Sequence, residues 1–106
     1  MGMSFSSQPA KAFKPQAAST VTISVTTSSV ATALPVISAQ YRMYNAGAVP
    51  VFFNFGESGS TASVATATPI APGAVEVFSP PSGSTHVAAI VASGSATLYV
   101  TAGEGV

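Results

Sequence analysis

Thr20-Val21-Thr22-Ile23-Ser24-Val25-Thr26 alternates without a break: Val21, Ile23 and Val25 fall on one face of an extended chain, and Thr20, Thr22, Ser24 and Thr26 on the other. Successive side chains of a strand point to opposite faces, and β-branched residues suit the pleated surface. The stretch therefore reads as a strand buried on one side. Downstream the same texture repeats. Val30–Leu34 reads as a strand stopped by Pro35, and Ala39–Tyr44 as a third, followed by Asn45-Ala46-Gly47, residues that tolerate positive φ. Val49–Phe55 puts Val49, Val51, Phe53 and Phe55 on one face, with Pro50 confining that end to a sheet edge or a strand start. Gly56–Ser60 reads as a turn, Ser63–Thr68 as a weak strand, and Pro72-Gly73 as the centre of a type II turn. Ala74–Phe78, Thr85–Ala92 and Ala96–Thr101 complete the set. Turn signals recurring every 8–12 residues or so are the pattern of an all-β sandwich or barrel. The expected fold class is all-β, a single antiparallel β-sandwich over residues 20–106.

Upstream, residues 1–19 (MGMSFSSQPAKAFKPQAAS) contain Pro9 and Pro15, many small side chains and no sustained period. They read as an extended or disordered N-terminal arm. Phe5 and Phe13 are isolated aromatics within it, and Lys11 and Lys14 are its only charges. These four are the candidate docking residues: two rings to anchor, two ammonium groups to meet acidic groups of a partner. The arm lacks the apolar core of a secretory signal, and no apolar run approaches the roughly 20 residues of a spanning helix. The expectation is a protein made in the cytoplasm, with no membrane partner.

Charge is scarce. Lys11, Lys14, Arg42, Glu57, Glu76 and Glu104 are the only charged residues among 106, whereas ordinary domains carry roughly a quarter. Pro15–Tyr41 and Val77–Gly103 hold none at all. A monomer usually keeps charge on its surface for solubility, so this deficit points to a chain covered by copies of itself or by a larger assembly. Several strands are also apolar on both faces. In Thr85–Ala92, Val87, Ala89 and Val91 share one side, and Ala88, Ile90 and Ala92 the other. The second face is expected to lie under a loop, the arm or a neighbouring subunit. Phe52, whose neighbour Phe53 must point the opposite way, joins His86, Ala88 and Ile90 as a candidate oligomer-interface residue. Most of the other bulky side chains (Tyr41, Tyr44, Phe53, Phe55, Phe78, Tyr99) are expected to fill the core.

Nothing in the inventory favours catalysis. Cysteine and aspartate are absent and His86 is the sole imidazole, so neither a metal cage nor a carboxylate pair is expected, and no cofactor. Gly56-Glu57-Ser58-Gly59-Ser60 lacks the lysine and following helix of a phosphate cradle. Two lysines on the arm fall far short of the roughly six to ten phosphate contacts of a nucleic-acid surface.

The second half, YRMYNAGAVPVFFNFG (41–56) and PIAPGAVEVFSPPSGSTHVAAIVASGSATLYVTAGEGV (69–106), resembles a group of small virion proteins of tailed bacteriophages. The resemblance implies a structural component of the capsid, of decoration or cement type. It further implies a jelly-roll or similar sandwich, often trimeric, seated on the major capsid protein at the virion surface after assembly in the bacterial host cytoplasm. It transfers no active-site residue. A head-fibre, neck or host-glycan-binding module, using the loops at Gly56–Ser60 and Pro80–Ser84, is the second expectation.

Overall fold

The computed structural model describes residues 12–105, and within them every regular element is a strand. In chain order these are β1 (Lys14–Val25), β2 (Val30–Ala33), β3 (Gln40–Asn45), β4 (Val51–Gly56), β5 (Thr68–Ile70), β6 (Val75–Phe78), β7 (His86–Ile90) and β8 (Ala96–Glu104). They form two four-stranded sheets, ordered β1-β8-β3-β6 and β2-β7-β4-β5, with every pairing antiparallel. The chain passes from one sheet to the other at each connection except β4 to β5.

The period-two pattern decides which face turns inward. Ile23 and Val25 of β1, Tyr41 and Met43 of β3 and Leu98, Val100 and Ala102 of β8 leave the first sheet on one side. Val51 and Phe53 of β4, Ile70 of β5 and Val87 and Ala89 of β7 leave the second. All of them join a single core cluster, with Phe53 edge-on to Phe78 across a centroid distance of 4.8 Å. Polar atoms caught inside are partnered. The Tyr41 hydroxyl donates to the Val36 carbonyl at 2.5 Å and accepts from the Ser38 amide at 2.9 Å. Removing either hydrogen bond would strand a desolvated group.

Three local readings change. First, the body begins earlier than Thr20. Lys14 and Pro15 pair with Glu104 and Gly103, and the register then jumps to Thr20 opposite Thr101. The residues between form a bulge with Ala18 at φ 55°. It is pinned by the Ser19 hydroxyl, 2.6 Å from the Gln16 carbonyl and 3.2 Å from that of Ala102. Pro15 fits because the edge strand asks no hydrogen bond of its missing N–H. Second, Asn45 and Gly47 do not use positive φ. Asn45 is fully buried, and its amide donates to the carbonyls of Val49 (2.9 Å) and Ile70 (3.0 Å) while its oxygen accepts from the Gly47 N–H. Gly47 is needed for close approach, since a Cβ there would stand 2.5 Å from that of Ala96. Third, Ser63–Thr68 is mostly turn: the Ala67 N–H bonds the Ser63 carbonyl at 3.0 Å, and the strand starts only at Thr68. The Pro72-Gly73 turn is as read, with the Ala74 N–H on the Ala71 carbonyl at 3.0 Å and Gly73 at φ 78°.

Candidate functional site

The outward faces of the two sheets have opposite fates. On the β1-β8-β3-β6 sheet, residues directly opposite share a face, so the pairings lay out rows across the strands. Thr22, Tyr99, Tyr44 and Val75 make one row; Thr20, Thr101, Arg42 and Val77 make the next on one side of it, and Ser24 and Thr97 pair on the other. Tyr44 and Tyr99 are 39% and 37% exposed, and their rings stack at 5.9 Å between centroids with 16° between planes. The hydroxyls of Thr20 and Thr101 bond each other at 2.7 Å, which fixes two side chains that would otherwise rotate freely. Among the described residues Arg42 is the only charge on this face. Neighbouring strands lie about 4.8 Å apart, so the rows compose a contiguous patch of aromatic, hydroxyl and β-branched groups.

On the β2-β7-β4-β5 sheet the outward face is closed by the chain itself. The connection from β4 to β5 folds back, so that Ala62 and Ala67 bury against Ala88, with Ala31, Phe52 and Ile90 packed around them. The Ala62 N–H donates to the Ser29 hydroxyl at 2.8 Å, and the Asn54 amide reaches the Thr61 carbonyl at 3.1 Å. Small side chains on both sides let the loop lie close.

The residues singled out from sequence fall in several places. Ala88 is 0% exposed under the chain's own loop, so it offers nothing to a second subunit. Phe52 and Ile90 belong to the same cluster and are half-buried. His86 is half-buried beside this cover, its Nδ1 2.8 Å from the Thr85 hydroxyl. Phe13 is half-buried against Gly103, where an added Cβ would collide with its ring; it packs on its own chain. Lys14 is exposed, but on β1 opposite Glu104. Phe5 and Lys11 lie outside the described residues.

Bulk alone points most of the large side chains to the core, whereas the alternation of Gln40-Tyr41-Arg42-Met43-Tyr44 puts Tyr44 in phase with Arg42, on the exposed face. That phase was the signal that could have found the patch. The structure also brings Gly56–Ser60 and Pro81–Ser84 together around an open cleft of about 500 Å³, with Glu57 as its one charged side chain and Phe55 at its floor. The Ser84 N–H closes a turn onto the Pro81 carbonyl at 3.2 Å, with Gly83 at φ 87°. Among the described residues no three metal-ligating side chains converge. No family model, curated protein or solved structure matches the chain.

Proposed function

We propose that this protein is a non-enzymatic virion structural protein of a tailed bacteriophage, a decoration or cement protein that oligomerises and binds the major capsid protein at the capsid surface. The observation that carries the reading is the open face around Tyr44 and Tyr99. Interface centres are enriched in Tyr and Arg and depleted of Lys, Glu and Asp, and this face holds two tyrosines, one arginine and no other charge. The strand orders β1-β8-β3-β6 and β2-β7-β4-β5 support a jelly roll, two interlocked Greek keys found in many capsid and lectin domains. We take the two sheets as that sandwich, although fold alone names no function. The sequence resemblance supports the phage setting and the expected homotrimer.

Co-sedimentation with purified capsid shells of the encoding phage tests this. The full chain is expected to pellet with shells, and Tyr44→Ala/Tyr99→Ala to bind at least about tenfold more weakly, since truncating an interface tyrosine often removes 2 kcal/mol or more. Removing residues 2–11, which spares β1, is expected to lower occupancy through loss of Phe5 and Lys11. A full chain that stays in the supernatant, or a double variant that binds at full occupancy, overturns the reading.

The cleft between Gly56–Ser60 and Pro81–Ser84 favours one second reading, a virion-exposed head-fibre or neck module that recognises a host glycan. Its hydroxyl and backbone lining suits a polyhydroxyl ligand. Glycan-array binding abolished by Glu57→Ala, with shell binding absent, would put this reading first.

A further inference from the structure

Two sheets have four edges, and an open edge strand is a template for another strand unless something blocks it. Two of the four are blocked and a third is interrupted. β1 is broken by its bulge between Pro15 and Thr20, and past it Thr20–Val25 runs in regular register with β8 but carries no exposed large apolar side chain. β6 turns Glu76, exposed, onto the inward phase opposite Met43. β5 carries Pro69, which has no N–H to offer. The fourth edge, β2, has no proline, no charge and an unbroken register with β7.

The hydrogen-bond pattern shows which groups of β2 are open. The Leu34 N–H bonds the Thr85 carbonyl at 3.0 Å, so the even positions 30, 32 and 34 face β7. Antiparallel ladders alternate, so Ala31 and Ala33 turn both N–H and C=O to the free edge. Exposed apolar side chains stand at either end: Val30 is 55% exposed and Ile37, past Pro35, 71%, the highest among the exposed large hydrophobics of the described chain.

We propose that the β2 edge pairs with β2 of a second copy about a two-fold axis, Thr32 facing Thr32 of the second copy. In this register Ala31 of each chain meets Ala33 of the other, and all four open N–H groups find carbonyls. Val30 comes opposite Leu34 of the second copy, on the inward face. The occupant is argued from self-complementarity. An isologous contact sets each residue near its own kind across the axis, where like charges repel, and no charge lies between Pro15 and Tyr41. The methyl groups of Ala31 and Ala33 add no bulk at the seam, and Pro35 ends the ladder. The contact is short, so the dimer belongs with weak interfaces of about micromolar affinity. It does not rest on the capsid reading, because it forms in the isolated protein.

Sedimentation equilibrium of the full chain over a concentration series tests it, with Ala33→Pro as the variant. Proline there removes only an N–H that faces the open edge, so circular dichroism and the thermal transition should match the parent. The parent is expected to double its mass with concentration (monomer to dimer, or trimer to hexamer where the proposed trimer forms), and Ala33→Pro to weaken this step at least tenfold. Thr32→Cys should cross-link between copies under mild oxidation, because a facing pair of this kind sits about 4.5 Å apart at Cα, within disulfide reach; Thr68→Cys on the proline-guarded edge should not. A parent that stays monomeric or trimeric, a doubling step indifferent to Ala33→Pro, equal cross-linking at both cysteines, or assembly lost only on deleting residues 2–11 would each overturn the proposal.

Discussion

The outer faces of the two sheets begin from similar sequence and end differently. Both are poor in charge, but one lies under Ala62 and Ala67 of its own β4–β5 connection, while the other leaves Tyr44, Tyr99 and Val75 in water. The size of the side chains decides which can be covered from within. Ala31 and Ala88 are small enough for a loop to approach closely; a stacked tyrosine pair is not, and it keeps two hydroxyls that need water or a partner. A charge-poor face is thus no single signal. On one sheet it marks internal cover, and on the other a surface free for something else.

Substitutions can break that contrast, and the largest effect belongs to the covered face. Ala88→Glu would set an uncompensated charge between sheet and loop, expected to cost about 3–5 kcal/mol in urea unfolding. Next comes the joint between the sheets. Asn45→Ala leaves the buried Val49 and Ile70 carbonyls without its amide, a loss of roughly 3 kcal/mol, read the same way. Ser29→Ala removes the acceptor of the Ala62 N–H and should cost about 1 kcal/mol. Hydrogen exchange should then rise in residues 57–67 and stay unchanged in β8. Smallest of all, Thr22→Glu on the open face is expected to shift stability by no more than about 0.5 kcal/mol. Similar costs for Ala88→Glu and Thr22→Glu would erase the distinction between the faces.

Much of the strand pattern was legible. The alternation at Thr20–Thr26, the stop at Pro35 and the Ala71–Ala74 turn all follow from residues whose φ, branching or missing N–H leaves little choice. The bulge at residues 16–19 was not legible, because it depends on the Ser19 hydroxyl finding the Ala102 carbonyl, 83 positions away. The role of Asn45 is hidden for a similar reason: a turn-forming Asn and a buried amide that ties β3 to the Ile70 carbonyl look alike in sequence. The cover over Ala88 is legible as a need, with a loop among its three expected suppliers, but which loop is not, since Ser63–Thr68 carries no local mark of folding back. The open aromatic patch is readable from the phase of Tyr44 with Arg42, which contradicts the expectation from bulk.

In the proposed capsid role, the face around Tyr44 and Tyr99 is where this protein would meet its assembly. Hydroxyl-radical footprinting of the protein free and bound to capsid shells reads this residue by residue. Tyr44 and Tyr99 are expected to become protected on binding, while the loop residues 57–67 on the opposite sheet keep their labelling. Unchanged labelling of both tyrosines on fully occupied shells would contradict the account.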